Sequence, residues 1–449
     1  GGYIDLVNGS PYTWQLAAHT SYQMATWSFP TTITSGQSSS VYVEWEQGLG
    51  KDQNDDGGEA NYTLEGTSAG FQVQARNPDG FNIQVLLSEI ETENNPLGTT
   101  ISLGWNHDKS VNFVLSGTDG SYSSNNPSVD WMQQNLDTLG DRTLRHLCMP
   151  GSHDSGMSTF GTHTGLVTAA NTLTQTFNIS EQLMAGSRWF DIRPVVSGGD
   201  MYTGHYSNTN VVGWQGADGQ SIADVISDIN SFTAQYHELI ILDVSHAYDT
   251  DNSYVDFSQD QWNTLFTQLA GLNNRLNTTD LSTTDDLTQR TLSQYIGNGA
   301  ACVLVVAELP SGISLSDDYF AQGIVNSGSS FSFYNEYADT DNLTAMELDQ
   351  ISKLASNRAT PDDTFFLLSW TLTESAVESV WGDIPIPGGF NTILALAGSA
   401  YEPLFNSFGN FTAQSYPNVL YMDLMGATFD ADATTPNTDI AALAMAVNN

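Results

Sequence analysis

Two histidine-bearing motifs stand out in the middle of the chain. The first is Met149-Pro-Gly-Ser-His153-Asp154-Ser-Gly156, and the second contains His205, which comes twelve residues after Arg193. One imidazole can accept a proton while another donates one, because the histidine pKa lies near neutrality. The two motifs therefore predict general acid–base chemistry with one histidine in each role.

A charged pair lies on the strand predicted at 187–192. Asp191 and Arg193 are two residues apart, so they point to the same side of that strand. Half of the eight arginines fall in the short stretch 141–193, at positions 142, 145, 188 and 193. Because a guanidinium matches the oxygens of phosphate, we expect a phosphate group to bind there. Two histidines and an arginine suit cleavage of a phosphodiester by a hydroxyl of the same substrate.

The charge of the chain excludes one class of partner. Its 449 residues contain 51 Asp and Glu against 11 Lys and Arg, a formal net charge of -40. Such a surface repels nucleic acids and anionic bilayers, so we expect no nucleic-acid partner. No apolar run approaches the roughly 18 residues of a membrane helix.

The composition also predicts a secreted glycoprotein. Lysine is rare, and the chain begins at Gly1 without a methionine, as after removal of a signal peptide. Cys148 and Cys302 either pair or remain buried thiols. Six Asn-X-Ser/Thr sequons add to this expectation, at Asn8, Asn61, Asn178, Asn277, Asn342 and Asn410.

Two domains are predicted from the change in pattern along the chain. Residues 1–120 alternate apolar and polar in short stretches, which indicates an antiparallel β-sandwich. The stretch 116–127 has the composition of a linker. Residues 128–449 alternate apolar strands with amphipathic helices, which is typical of an α/β fold and favours a (β/α) barrel.

The predicted barrel elements fall between the motifs. Strands are expected at 144–149, 187–192, 239–244, 301–307, 364–370 and 419–422. Helices are expected at 221–235, 258–272 and 344–354, the last beginning with a capping box from Thr344 to Glu347. Active sites of barrels lie past the ends of their strands, which is where the polar motifs stand.

At these motifs the chain resembles the phosphatidylinositol-specific phospholipase C family, nearest to its bacterial and secreted fungal members. The resemblance lies in 144–156, Arg188-Trp-Phe-Asp-Ile-Arg-Pro194, the Gly-His205 step and 238–246, and covers about 128–426. It implies a distorted TIM-type barrel that cleaves a phosphoinositol lipid or glycolipid head group through a cyclic phosphate.

The resemblance also implies roles for individual residues. His153 matches the general base for the inositol hydroxyl, and His205 matches the general acid. Arg193 matches the arginine that binds the phosphate. The three carboxylates are Asp154, which orients the acid histidine, Asp191, a further site carboxylate, and Asp423, which supports the base.

The resemblance implies no metal cofactor. Calcium-dependent relatives place carboxylates where this chain has Arg193 and Ser245, and a guanidinium repels Ca²⁺. Arg188 and Ser245 are expected to bind substrate. Glu308 and Trp370 are expected to do so as well, because they stand where bacterial relatives hold inositol with basic and aromatic groups.

Several alternatives remain open. The rival function is a carbohydrate-active or glycan-binding protein that uses the same barrel on an acidic sugar. His246 and Asp243 are interpreted as structural or supporting residues. Aromatic residues near the amino terminus, such as Trp14 and Trp27, form either a platform for a membrane surface or glycan, or simply the sandwich core. We expect a monomer.

Overall fold

The chain forms two compact units. The computed structural model describes residues 1–209, 212–373, 392–428 and 432–449. The first unit comprises Gly1–Ser128 together with Glu402–Ala413 and Ala441–Asn449. The second comprises Val129–Tyr401 and Gln414–Ile440. The two carboxyl-terminal segments correct the prediction that 128–449 form one domain, since their packing against the first unit has no local signal in the sequence.

The first unit contains two β-sheets. One has the order β11-β10-β1-β5-β3 and the other the order β4-β2-β6-β7-β8-β9. The strands are β1 (Gly2–Gly9), β2 (Trp14–Tyr22), β3 (Met24–Trp27), β4 (Thr32–Ile33), β5 (Gln37–Trp45), β6 (Gly57–Leu64), β7 (Gly70–Arg76), β8 (Asn82–Leu86), β9 (Thr100–Gly104), β10 (Ser110–Thr118) and β11 (Ser121–Ser124).

A single apolar cluster draws on both sheets of the first unit. Trp14 of β2 packs edge-on against Phe71 of β7 at 4.9 Å between ring centroids, and lies 6.1 Å from Phe113 of β10 in the other sheet. This arrangement supports the predicted sandwich. Trp14 and Trp27 are both buried in this cluster, so they are core residues and not a platform.

Two details of the first unit differ from the sequence prediction. The pairing of β1 with β10 is parallel, so the unit is not wholly antiparallel. The stretch interpreted as a linker contains β11 and the end of β10, which pair with each other from Leu115 to Ser124. Its glycines and serines form a hairpin, a structure whose turn has the same composition as a linker.

The second unit is built on an eight-stranded parallel sheet, which confirms the predicted α/β class. Its order is β21-β20-β17-β13-β12-β24-β23-β22. The strands are β12 (Met149–Ser152), β13 (Trp189–Ile192), β17 (Leu239–Val244), β20 (Cys302–Ala307), β21 (Ile324–Asn326), β22 (Phe333–Tyr334), β23 (Phe365–Trp370) and β24 (Val419–Met422).

This sheet is curled like a barrel that is open on one side. The first strand, β12, pairs with the last, β24, while the edges β21 and β22 follow each other in sequence. The side chain of Trp189 stacks on Phe365 at 5.6 Å and meets Phe333 at 5.2 Å, although β13 and β22 are four places apart in the sheet. The interior is therefore filled by aromatic side chains.

Twelve helices complete the described parts of the chain. They are α1 (Trp131–Gln134), α2 (Leu136–Leu139), α3 (Ile179–Met184), α4 (Ile222–Thr233), α5 (Gln259–Leu269), α6 (Leu292–Ile296), α7 (Asp317–Phe320), α8 (Ser327–Ser330), α9 (Leu343–Asn357), α10 (Ile393–Gly398), α11 (Tyr401–Asn406) and α12 (Asp439–Asn448). Among the described residues, none of these helices has the length and apolar character needed to span a bilayer.

Most of the predicted barrel elements are present, with two errors of position, but the edge strands β21 and β22 were not predicted. Helix α9 is capped by Asn342, whose side chain accepts from the N–H of Ala345, so the capping box predicted at Thr344 is wrong. The first barrel strand is Met149–Ser152 and not 144–149, because its pairing with β13 and β24 involves Gly151 and Ser152.

A second, smaller sheet of the second unit has the order β16-β15-β14-β18-β19. Its strands are β14 (Pro194–Ser197), β15 (Asp200–Thr209), β16 (Gly213–Ser221), β18 (Tyr248–Asp249) and β19 (Val255–Asp256). The sequence did not indicate this sheet, although its strand β15 carries His205. Cys148 and Cys302 are both buried thiols.

Candidate active site

Three neighbouring strands bring the predicted site residues to one edge of the barrel. His153 directly follows β12, Arg193 follows β13, and Asp423 follows β24. In the sheet, β12 lies between β13 and β24. Because parallel strands end at the same edge, these side chains meet there. The strands approach closely because position 151 is glycine, where a Cβ would collide with the side chain of Val419.

His153 is held by a carboxylate. Its Nδ1 lies 2.6 Å from Oδ1 of Asp423, which is almost completely buried. Burial lowers the pKa of His153, but the charge and hydrogen bond of Asp423 and the charge of Asp191 together outweigh it, and the pKa lies above its ordinary value. The rings of Tyr337 and Tyr421 contact the imidazole edge-on at 5.4 and 5.6 Å. Because Nδ1 is occupied, Nε2 is the nitrogen left for a substrate.

His205 also lies beside a buried carboxylate, at ion-pair distance. Its Nδ1 lies 2.8 Å from Oδ2 of Asp154, whose side chain is fully buried. Asp154 adopts a left-handed backbone conformation with φ of 44°, and its N–H donates to Oδ2 of Asp191 at 2.9 Å. Position 156 must be glycine, because a Cβ there would collide with Thr203 of β15.

Arg193 lies in a closed ring of hydrogen bonds. Its Nε donates to Oδ2 of Asp191 at 3.0 Å, and its Nη2 donates to the hydroxyl of Tyr337 at 3.0 Å. The hydroxyl of Tyr421 donates to Oδ2 of Asp191 at 2.6 Å and lies 3.0 Å from that of Tyr337. Nη1 remains 3.9 Å from Asp154, so this face of the guanidinium is available to an anion.

The ring keeps Asp191 ionised. Burial raises the pKa of the Asp191 carboxyl, but the charges of Arg193 and His153 outweigh it and hold the pKa well below its ordinary value. The pKa of His246 is lowered as well, but there burial and the charge of Arg193 act in the same direction. An ionised Asp191 fixes Arg193 in place, since the pair forms a charge-assisted hydrogen bond.

Both histidines and Arg193 line one cavity of about 370 Å³. Asp423 also lines it, beside His246 and Tyr337. Much of the remaining wall is neutral and polar, formed by Asn171, Thr172, Thr174, Ser207, Asn208, Thr209, Gln215, Thr371 and Thr373. The structure thus brings together all six predicted catalytic residues, with Asp154 and Asp191 directly behind the cavity surface.

Two of the predicted substrate-binding residues are in the wrong place. Arg188 is fully buried and donates to Glu238 and to carbonyl groups at the opposite end of β13. Trp370 is buried with its Nε1 donating to the carbonyl of Ala400 at 2.7 Å. Since neither side chain reaches solvent, neither can contact a substrate. The strand predicted at 187–192 already placed Arg188 near its beginning, away from the strand ends where barrel sites lie, so this signal was overlooked.

The other two, Ser245 and Glu308, lie near the site but do not line the described cavity. The hydroxyl of Ser245 lies 2.7 Å from Nδ1 of His246. Glu308 is exposed and interacts with the buried Asp243. Burial raises the pKa of Asp243 well above its ordinary value, and the charge of Glu308 adds to this. Burial and the neighbouring carboxyl thus both favour the protonated form of Asp243.

The sequence analysis did not identify two residues of the site, and it interpreted a third as structural. Tyr421 lies two residues before Asp423 on β24, so the strand periodicity of two was an available signal. Tyr337 follows β22 in a loop and carries no local signal. His246 was interpreted as structural, yet it lines the cavity.

Arg193 places a positive charge in the site. Within the described residues, no three His, Cys, Asp or Glu side chains are arranged to hold a metal ion. The guanidinium of Arg193 lies 2.9 Å from Asp191 and 3.9 Å from Asp154, between two carboxylates that would otherwise repel each other. Independence from calcium stays a prediction, which a chelator tests.

The fold and the side chains define an acid–base site with an anion-binding arginine at the rim of a barrel-like α/β unit. No family model matches the chain. It is 29% identical over 150 residues to a PI-PLC X domain-containing protein 3 of Danio rerio, covering 28% of this chain and 44% of that protein. It is 27% identical over 237 residues to a PI-PLC X-box domain-containing protein of Dictyostelium discoideum, covering 43% of this chain and 29% of that protein.

The predicted resemblance to phosphatidylinositol-specific phospholipase C is confirmed by these relatives, of whose length the chain spans less than half. Among solved structures, the chain is similar to the phosphatidylinositol-specific phospholipase C of Staphylococcus aureus, with a TM-score of 0.48, 15% identity and coverage of 72% and 98%. The enzyme of Listeria monocytogenes gives a TM-score of 0.44, 17% identity and coverage of 72% and 98%.

Proposed function

We propose that the chain is a phosphodiesterase that cleaves an inositol-phosphate lipid or glycolipid-anchor diester by intramolecular transphosphorylation. One observation carries the proposal: the Nδ1 atoms of His153 and His205 each lie within 2.8 Å of a buried carboxylate, and both histidines line one cavity with Arg193. The similarity to PI-PLC X domain proteins supports the substrate class. Two supported imidazoles around a guanidinium suit a phosphodiester better than a glycosidic bond, for which two carboxyl groups are typical.

In the first step, Nε2 of His153 takes the proton of a substrate hydroxyl adjacent to the phosphate. The deprotonated oxygen attacks phosphorus and forms a cyclic phosphodiester. Asp423 stabilises the resulting imidazolium, whose Nδ1 lies 2.6 Å away. The raised pKa of His153 makes it a stronger base than a free imidazole.

At the same time, His205 protonates the leaving oxygen from Nε2, because Asp154 occupies Nδ1. The free Nη1 of Arg193 donates to a phosphoryl oxygen as negative charge builds up in the transition state. The cyclic product is opened when His205, now neutral, takes a proton from water and the water oxygen bonds to phosphorus. The P–O bond to the substrate oxygen breaks as His153 returns its proton to that oxygen. Both histidines then have the protonation states with which the reaction began.

The variant His153→Ala tests the proposal. We expect its turnover of phosphatidylinositol in detergent micelles to fall at least about 1,000-fold. The variant should still fold, with a thermal melt lowered only by the loss of the His153–Asp423 pair. The matched control His19→Ala removes an exposed histidine of the first unit and keeps full activity. An active His153→Ala protein would exclude this mechanism.

Two further arms test the rest of the proposal. Activity in excess chelator must equal activity without it, and a loss would reveal a metal-dependent enzyme. An acidic oligosaccharide offered in place of the inositol diester distinguishes the rival carbohydrate function, which is supported if only the sugar is turned over.

We further propose that the protein is a secreted, glycosylated monomer, and that its first unit contacts a membrane surface or glycan. The sequon at Asn8 is not a glycosylation site in the folded protein, because Asn8 is buried and its Nδ2 donates to the carbonyls of Tyr12 and Ile33. Asn342 and Asn410 are exposed. Mass spectrometry of protein from the culture medium, with sedimentation of the pure protein, tests these points.

A further inference from the structure

A second cavity lies at the amino-terminal end of β20, away from the active site. Its volume is about 370 Å³, and it is lined by the segment from Asn274 to Leu281, by parts of α6 and by Cys302. Cys302 is the first residue of β20, whereas the active site lies past the opposite ends of the strands. Six residues of strand span about 17 Å, so the two cavities are separate.

Arg275 and Arg290 both line this second cavity. The guanidinium of Arg275 is fixed on one side: its Nε donates to the carbonyl of Gln322 at 2.7 Å, and its Nη1 donates to the carbonyls of Ala270 and Leu272. These bonds leave Nη2 as the donor for a ligand. The side chain is thus held in place before any ligand binds.

Arg290 is held less completely. Its guanidinium lies 5.4 Å from the centre of the Tyr295 ring, and its Nη2 donates to the carbonyl of Gln294 at 3.3 Å. Its Nε is buried and has no hydrogen-bond partner. Because Arg290 lines the cavity, its guanidinium adds a second positive charge there.

Neither arginine has a carboxylate within 4.0 Å among the described residues. The chain has 51 acidic residues for 11 basic ones, so a guanidinium without an acid is unexpected. Four other arginines each pair with a carboxylate at 2.6–2.9 Å, namely Arg76, Arg145, Arg188 and Arg193.

Three amides add further donors. The side-chain oxygens of Asn277, Gln294 and Asn298 each accept from a main-chain N–H two or three residues away, at 2.8–3.0 Å. Because these bonds fix the orientation of each amide, the NH₂ groups are the free ends. The cavity therefore presents mainly donors, a pattern that suits an acceptor-rich anion.

We propose that this cavity binds an oxoanion of the phosphate type, as inorganic phosphate or as the monoester of a polyol. The two guanidiniums match its oxygens in charge and geometry. Asp280 is the carboxylate among the described lining residues and is exposed. The Asp280 carboxylate accepts a hydrogen bond from a hydroxyl of the polyol and does not contact the phosphate. This site is independent of the proposed catalytic function.

Calorimetric titration with inorganic phosphate tests the proposal. The protein carries R193Q, which weakens anion binding in the catalytic cavity. Adding Asn298→Asp keeps the oxygen that accepts from Ala300 but replaces the donating NH₂ with a negative charge, so we expect affinity to fall about tenfold. The matched control Asn273→Asp adds the same charge at an exposed residue outside the cavity lining, and is expected to bind as before.

The outcomes separate the alternatives. Equal loss in both aspartate variants would mean a long-range charge effect and would overturn the site, as would the absence of any binding. A second variant, Arg290→Gln, must lose affinity as well. If glycerol phosphate binds more tightly than inorganic phosphate, and Asp280→Asn abolishes this difference, the ligand of the cavity is the phosphate ester. Equal affinities assign free phosphate.

Discussion

Strand β13 is flanked by two arginines, one directly before it and one directly after it, that differ in burial and in their hydrogen-bond partners. Arg188, before the strand, is fully buried and uses its donors on Glu238 and on the carbonyls of Leu183, Ser187 and Val129. Arg193, after the strand, is 14% exposed and keeps Nη1 free. A guanidinium with its donors satisfied holds the fold, and one with a donor facing a cavity is available for chemistry.

Substitution of Arg193, the arginine that faces the cavity, has the largest expected effect on activity. Arg193→Met is expected to lower kcat about 1,000-fold or more, because it removes the charge that stabilises the phosphoryl oxygens. Steady-state kinetics on a phosphoinositol diester measure the change. Arg193→Lys keeps the positive charge but lacks the planar guanidinium, so its kcat should lie between those of the wild-type protein and Arg193→Met. If Arg193→Met retained wild-type kcat, the role of Arg193 would be refuted.

Breaking the structural side affects stability instead. Arg188→Met leaves Glu238 buried without its partner and is expected to cost about 3–5 kcal/mol in free energy of unfolding. Denaturant titration measures the cost, and kcat of the folded fraction should remain unchanged. The double variant R188M/E238M removes both charges and should recover most of the loss. A kcat defect in folded Arg188→Met would contradict this assignment.

The pH profile sharpens the comparison between the histidines. Asp423 raises the pKa of His153, and the base acts when neutral, so activity rises with pH through that pKa. Asp423→Asn is expected to move this acid limb of kcat/KM to lower pH. It should also lower kcat about 100-fold, because the tautomer is no longer held. An unmoved acid limb would show that His153 does not limit it.

The raised pKa has a matching effect on stability. The His153–Asp423 pair stabilises the folded state below the ordinary pKa of histidine, and this contribution is lost as pH rises through the raised value. Asp423→Asn should therefore reduce the free energy of unfolding more at pH 5 than at pH 9.

The smallest effect is expected from the hydrogen-bond ring around Arg193. Tyr421→Phe removes the hydroxyl that donates to Asp191 at 2.6 Å. Because Asp191 keeps Arg193 and the N–H of Asp154 as donors, kcat should fall only about tenfold, with KM little changed. A loss as large as that of Arg193→Met would give Tyr421 a direct role in the reaction.

Local patterns in the sequence were sufficient for the centre of the site. His153, Asp191, Arg193 and Asp423 lie in or directly after short apolar strands, and the end of a parallel strand is a position that periodicity and turn residues reveal. The α/β class followed from the same alternation. The resemblance to phospholipase C motifs rests on these local segments too.

Contacts between distant segments required the folded chain. The sheet curls until Tyr421 of β24 reaches Asp191 of β13, and the hairpin of β15 and β16 carries His205 to Asp154. Strand order and curl depend on packing across the whole unit, which no short window of sequence contains. The strand predicted at 187–192 already separated Arg188 from Arg193, which stand at its opposite ends, but only the tertiary structure showed that the first is satisfied by Glu238 and carbonyl groups while the second faces the cavity.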